Sequence, residues 1–530
     1  MKEINFYKHN RIFGIVAGLF SFVIFSLTVE PTASYWDCAE YISTSAKLQI
    51  GHPPGAPLFQ MLGAIFSILA FDVTQIAYAV NMMSVTSSAL TIMFLFWSIS
   101  LIAKEILKAK EIVKVSEAIK IFGSSFLGSI TFTFTDSFWY NAVEAEVYAM
   151  ATLILALLFW LGLKWVDDYG KARSDKWLIL ISFVVGLSFG VHFMGLLAIP
   201  SIGLLYYFKK YSEVNIKKFI LANVISVSIL LFIFKLLLPS TLSLFGNLEV
   251  FFVNDLGLPF NSGTIFTAVL LLSIFYYSLS YTTKKKLYWL NTTILCLTFV
   301  FVGFSSWLML PIRSNANTVI NENAPTDARS LLAYYNLEQY PDTYLFYGPM
   351  FSDIYAGQDP NEPYKDDKPK YERDYSINKY VIVNDWKNGK INSNKNHEGL
   401  FPRMWSSDNA VNYLNYYGFL DFEIKSEYKD ESQIIELVNS FKNRIANDDV
   451  DADDYHEFLS NFGSYLDIDK PSLFSNISYF INFQLSKMYF RYFMWNFSGR
   501  QNDKQWKYDL ENGNWISGIN IIDEYRLGPQ

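Results

Sequence analysis

Long apolar runs recur along the chain as far as Pro311 and then stop. Nine stretches approach the ~20 mainly apolar residues that one helix needs to cross a bilayer: 12–29, 77–103, 118–135, 147–166, 177–192, 193–208, 219–238, 264–281 and 288–310. Segment 56–70 is apolar too, but it opens on His52-Pro53-Pro54-Gly55 and is short, so it reads as a re-entrant or interfacial helix. Beyond Pro311 the pattern changes. Tyr380–Trp386 has strand composition, Asn388-Gly389 is a turn signal, and Ser432–Ile445 has helical spacing. Segment 473–497 is aromatic, with Lys487 and Arg491 inside it, and reads as an interfacial helix. No repeat of 20–50 residues is visible. The fold class expected is mainly α: a polytopic helical membrane bundle over 1–310, followed by an extracytoplasmic, aromatic-rich α+β domain over 311–530.

Basic residues orient the bundle. Lys2, Lys8 and Arg11 precede the first span, and Lys104, Lys108, Lys110, Lys114 and Lys120 follow the second. Further clusters stand at Lys164–Lys176, Lys209–Lys218 and Lys284–Lys286. All fall on one side if the N-terminus is cytoplasmic and 56–70 does not cross. The connections 30–76, 136–146 and 239–263, and the chain after Pro311, then lie outside the inner membrane, on its periplasmic face. No small-residue cleavage site follows 12–29, which therefore reads as a retained anchor.

Composition agrees with that picture. The chain has 530 residues, 51% hydrophobic and 18% aromatic against only 18% charged, and a soluble chain of this length rarely combines those values. A net charge of −7 removes nucleic acid as a partner, which would need a basic stripe. Cys38 and Cys296 fall near the membrane mouth and inside an apolar run, a placement that does not suggest a structural disulfide.

Candidate chemistry concentrates in the outer loops. In Tyr35-Trp36-Asp37-Cys38-Ala39-Glu40-Tyr41, a helix would put Asp37 and Glu40 on one face. Such a pair at an aromatic membrane mouth suits a general base acting on a hydroxyl, or else is an ordinary solvated pair of loop acids. His52, beside the proline-rich bend, suits either a phosphate contact or a structural hydrogen bond. Glu144 and Glu146 in the second outer loop could join Asp37 in an acidic site, with or without a divalent metal, or be hydrated acids at a helix N-terminus. His192 is a further polar group on that side, and packing is its plainer reading. Arg313, just past the last span, suits a lipid phosphate or headgroup snorkelling. There is no phosphate-cradling glycine loop, zinc spacing or serine nucleophile elbow.

Several longer motifs carry a resemblance. Trp36-Asp-Cys-Ala-Glu-Tyr41, Gly51-His-Pro-Pro-Gly-Ala-Pro57, Ala142-Val-Glu-Ala-Glu-Val-Tyr148, Gly186-Leu-Ser-Phe-Gly-Val-His192, Pro311-Ile-Arg313, Ile320-Asn-Glu-Asn-Ala-Pro325, Tyr347-Gly-Pro349 and Tyr492-Phe-Met-Trp-Asn-Phe497 resemble a large bacterial family of multi-pass membrane proteins. That family is similar to the animal transmembrane O-mannosyltransferase acting on plexin-type receptors, in the GT-C class of glycosyltransferases. The resemblance implies inverting transfer of a sugar, mannose or a similar hexose, from a polyisoprenyl-phosphate donor to Ser or Thr hydroxyls of exported proteins. It implies Asp37 as base with Glu40 as runner-up, Glu144 or Glu146 as the second-loop acid, and Arg313 and His192 as donor-phosphate contacts, which His52 would join on the reading of its own position. No cofactor is certain, and a divalent metal remains open. Bacterial relatives usually continue past the equivalent of Gln530, so the resemblance suggests a short or truncated member. A transporter or lipid flippase should instead place charges near mid-span, and an envelope scaffold would leave the same acids merely solvated.

Overall fold

A computed structural model of the chain describes residues 3–211, 213–502, 504 and 512–529. The chain divides into two compact units: Met1–Gln339 with Tyr371–Val381, and Tyr340–Lys370 with Ile382–Gln530.

The first unit is a helical bundle. Its helices are α1 (Phe6–Leu27), α2 (Cys38–Lys47), α3 (Pro57–Ser67), α4 (Ile76–Ile106), α5 (Val115–Thr133), α6 (Asp136–Ala142), α7 (Val147–Asp167), α8 (Lys176–Ser188), α9 (Ala198–Lys210), α10 (Ile216–Asn254), α11 (Ser262–Lys284), α12 (Tyr288–Ser314) and α13 (Ala328–Tyr335). Six of them, α1, α4, α7, α10, α11 and α12, are long and apolar enough to cross a membrane. The other three stretches read as spans, 118–135, 177–192 and 193–208, also fold as helices but fall outside that class. α8 has only 13 residues, about 20 Å at 1.5 Å per residue, and α9 has 13. The apolar segment 56–70 contains the 11-residue α3.

One connection departs from expectation. The segment 239–263 does not begin as a loop, because α10 runs unbroken through Pro239 to Asn254. A wide π turn over Phe232–Leu237 immediately precedes that proline. Proline removes a helical N–H and crowds the preceding turn, and a π turn accommodates both without ending the helix. The extension carries a buried acid, Glu249, that the apolar pattern did not mark. Its carboxylate accepts the backbone N–H groups of Asn261 (2.5 Å) and Thr264 (2.9 Å) where α11 begins. Tyr380 donates its hydroxyl to the same group at 3.2 Å. Arg373 lies 3.9 Å from Glu249 and 3.1 Å from Asp327. These contacts explain why Tyr371–Val381 belongs to the helical unit.

The Lys-rich end of the bundle is pinned by a charge cluster. Lys104 of α4 meets Asp167 of α7 at 2.7 Å, Lys164 lies 3.4 Å from the same carboxylate, and Tyr7 of α1 donates its hydroxyl to it at 2.9 Å. At the opposite ends of these helices the two acidic loops join. The Glu30 N–H donates to the Val143 carbonyl at 3.0 Å, and Asn81 donates to the Glu30 and Thr32 carbonyls at 2.6 and 2.9 Å.

Between α8 and α12 the backbones touch. A Cβ on Gly186 would meet the Val300 carbonyl and, at 3.0 Å, the Gly303 Cα, while one on Gly303 would reach the Leu187 N at 2.6 Å. Small residues at such crossings let helices associate in lipid, where burial of apolar surface gives little drive. This crossing holds Phe189 and Trp307 in the core, and the Trp307 indole N–H donates to the Phe189 carbonyl at 2.9 Å.

The second unit has its own aromatic core, in which Phe441 stacks on Phe458 at 3.7 Å and Phe419 on Tyr455 at 4.2 Å. Ser432–Ala446 is a helix, in line with its apolar spacing. Asn388, at φ 54°, takes the left-handed conformation expected of the Asn-Gly turn. The aromatic segment 473–497 is helical over Leu473–Trp495 with a π stretch at Phe480–Phe490, and buries Tyr479 and Phe483 in this core. Its strands are short antiparallel pairs, such as Phe422–Ile424 with Leu466–Ile468.

Replacing Gly186 by Ala should destabilise the bundle by about 1–3 kcal/mol through overpacking. Gly123→Ala, where a Cβ meets nothing within 4 Å, should be neutral or slightly stabilising. Thermal melts of the two purified variants in detergent check the contrast.

Candidate active site

The site grows from the sequence around α2. Asp37 stands at the N-cap and Glu40 in the first turn, where the helix dipole favours negative charge. At the other end, Leu48 adopts a left-handed conformation (φ 48°) and leaves α2 carbonyls without helical partners. Arg313 takes them: its Nε donates to Leu48 O at 2.6 Å and its Nη2 to Lys47 O at 3.1 Å. Ile50 continues the contact by pairing with Asn321, donating to Ile320 O at 3.1 Å and accepting the Glu322 N–H at 3.2 Å.

The chain then reverses towards its own helix. Glu40 accepts the His52 backbone N–H at 2.6 Å and pairs with His52 Nδ1 at 2.9 Å. A Cβ on Gly51 would sit 2.6 Å from Glu40 Oε1, so only glycine admits the carboxylate there. Tyr334 of α13 secures the same stretch, donating its hydroxyl to Gly51 O at 2.6 Å. His52 Nε2 is left facing Asp37 Oδ2 at 3.8 Å. Asp37, Glu40 and His52 offer ligand atoms within 4.8 Å of one another, a donor set that a divalent cation would fit.

The second loop adds two buried carboxyls. Glu146 accepts the Asp37 N–H at 3.2 Å and faces Cys38 Sγ at 3.8 Å. Glu144 accepts the Ser34 hydroxyl at 2.6 Å. Asp37, His52, Glu146 and His192 share a cavity of about 150 Å³ with Tyr41, Tyr148, Phe189 and Phe193. Asp37 is the exposed member, with 54% of its side chain accessible, whereas Glu144 and Glu146 are 4% and 5% exposed.

These surroundings set the charges. Burial, reinforced by Asp37 and Glu144, pushes the Glu146 carboxyl up to about 7. Burial also raises Glu144, against the Ser34 hydrogen bond. The Cys38 thiol is pushed up to about 12 by burial and the neighbouring carboxylates, which leaves it an inert thiol. Burial pulls Glu40 upward too, but the hydrogen bonds and charge of His52 outweigh it and hold this acid below its ordinary value. The Glu40 hydrogen bond raises His52 in return. Burial lowers His192. Its Nδ1 accepts the Met194 N–H at 3.1 Å, which leaves the ring proton on Nε2.

Of the seven residues singled out in the sequence, five thus converge around one pocket: Asp37, His52, Glu146 and His192 line it and Glu40 orients His52. Glu144 lies one layer behind on Ser34. Arg313 is not among the lining residues, because its guanidinium is engaged by α2 carbonyls. Ser34 and Tyr334 carried no signal in the sequence, since each acts through a partner distant along the chain.

Residues 37–215 match the family model of the protein O-mannosyl-transferase TMEM260 N-terminal domain, and 341–481 match a family of unknown function, DUF8416. The protein O-mannosyl-transferase tmem260 of Dictyostelium discoideum is 26% identical over 190 residues, 34% of this chain and 21% of the relative. The Mus musculus protein O-mannosyl-transferase TMEM260 is 24% identical over 165 residues, 31% of this chain and 21% of the relative. This chain is similar to protein O-mannosyl-transferases. Each match spans about a fifth of the curated relative's length, and no solved structure matches the chain. The first matched region begins at Asp37 and contains every predicted site residue except Arg313.

Because Glu146 is raised in the fold, its contribution to stability is complete below about 4.5 and lost as pH rises through about 7. The melting temperature of Glu146→Gln relative to the unmodified protein should therefore climb across that window. A difference that stays flat with pH would show that Glu146 does not titrate there.

Proposed function

We propose that this chain is a GT-C-type glycosyltransferase, moving a hexose such as mannose from a polyisoprenyl-phosphate donor to Ser or Thr hydroxyls of exported proteins. The observation that carries the proposal is the exposed Asp37 carboxylate at the lip of an aromatic cavity, beside the Glu40–His52 pair. Similarity to protein O-mannosyl-transferases over the segment that builds this lip supports the same class of reaction.

In the proposed reaction the acceptor hydroxyl loses its proton to Asp37 as its oxygen attacks the anomeric carbon. The new carbon–oxygen bond forms as the bond to the carrier phosphate breaks, with inversion, and the lipid phosphate leaves with the bonding electrons. Glu40 keeps His52 Nδ1 engaged and favours its charged form, which stands a positive group beside Asp37 and orients it. Glu146 holds the Asp37 backbone, so the base rests on a rigid helix terminus rather than a free loop.

The basic clusters at one end of the bundle support an N-terminus in the cytoplasm of a bacterial inner membrane and an active site on the outer face. The acids of the two joined loops then meet exported protein rather than cytosolic substrates.

Asp37→Asn should lower protein mannosylation by about a hundredfold to ten-thousandfold, the usual loss of a general base, with membrane insertion and melting temperature unchanged. Transfer from a polyprenyl-phosphate mannose donor in proteoliposomes measures it, and undiminished transfer removes Asp37 as the base.

A further inference from the structure

We infer that the cavity between Asp37 and His192 holds one uncharged, hydroxyl-rich sugar ring, with Glu146 and His192 binding its hydroxyls, and that the donor phosphate lies outside it. The assignment deepens the glycosyltransferase reading and rests on it for the identity of the sugar.

Charge decides against an anion. Neither lysine nor arginine lines the cavity, whereas the carboxyl groups of Asp37 and Glu146 do. Of the two lining histidines, burial disfavours charge on His192, and His52 is already flanked by Glu40 at 2.9 Å and Asp37 at 3.8 Å. The nearby Arg313 has its guanidinium on the Lys47 and Leu48 carbonyls. A phosphate or uronate placed here would lose its hydration against acids and gain no cation.

A polyol fits the same lining. Carboxyl oxygens accept hydrogen bonds from hydroxyls, and His192, with its proton fixed on Nε2 by the Met194 contact, donates to one. The lining also includes Tyr148, Phe189 and Phe193. These offer flat apolar surface to the C–H face of a ring, and the Tyr148 and His192 rings lie 5.4 Å apart. Size narrows the choice further. About 150 Å³ equals the liquid volume of roughly five water molecules. That admits a single ring but falls below the ~300 Å³ at which pockets for larger organic ligands begin, so a nucleotide-linked donor cannot enter whole. His192 and His52 thereby become sugar-side groups rather than phosphate contacts.

Saturation-transfer NMR on the purified full chain in detergent tests this, with methyl α-D-mannopyranoside as probe and methyl β-D-glucuronide and inorganic phosphate as rivals. The mannoside should receive saturation, neither rival should displace it, and Glu146→Gln and His192→Phe should each weaken it about threefold to tenfold, the effect of one lost hydrogen bond. Displacement by phosphate, equal binding of the glucuronide, indifference to both variants, or no saturation of the mannoside would each overturn the assignment. Should His192→Phe fail to fold, Glu146→Gln decides alone, since it keeps the oxygen that accepts the Asp37 N–H. Mannoside binding without protein mannosylation would sink the transferase reading and leave the sugar site standing. Transfer with no sensitivity of mannoside binding to these residues would do the reverse.

Discussion

The Glu40 carboxylate is the constraint on which the site depends. One oxygen holds the His52 backbone and the other the His52 ring, at 2.6 and 2.9 Å, so a single first-turn residue of α2 fixes both the path of the following chain and the direction of an imidazole. Charge-assisted hydrogen bonds of this kind are roughly twice as strong as neutral ones. The reversal they enforce requires glycine at position 51, because the carboxylate occupies the space of a side chain. Pro53, Pro54 and Pro57 then limit the backbone beyond it and start α3 at its first helical residue.

Charge elsewhere in the bundle is handled differently. Asp167 is neutralised by two lysines and a tyrosine, and Glu249 by backbone N–H groups, a tyrosine and an arginine. Both are closed arrangements that satisfy buried acids and tie helices together. At the mouth, Glu144 and Glu146 are nearly as buried, yet among the described residues they receive a hydroxyl, a backbone N–H and a thiol but no cation. Like charges left close together in a cleft with shifted protonation mark functional positions more often than structural ones.

Much of this was legible along the chain, for identifiable reasons. Apolar length marks the membrane-crossing helices, and acids at loop positions drew attention to Asp37, Glu40, Glu144 and Glu146. What the apolar pattern hid was a helix that outruns its span: the run 219–238 ends just before Pro239, yet a π turn lets α10 continue to Asn254. Partnerships over long separations were also hidden. Arg313 stands 265 residues from the carbonyl it holds, and Tyr334 lies 283 residues from Gly51. No spacing rule connects such pairs, so a guanidinium suited to phosphate could not be told from one suited to a helix end.

Those distant partners carry a further consequence. Arg313 near the end of α12, Ile320 beyond it and Tyr334 of α13 grip both ends of the segment from Lys47 to His52, and Gly303 of α12 packs on Gly186 of α8. α8 leads into Phe189, Val191 and His192, so the aromatic wall of the cavity and the hold on its acidic lip descend from one helix crossing. A shift at that crossing would move both walls together rather than open the pocket. A loop site whose supports share one packed helix pair acquires the rigidity of the bundle beneath it.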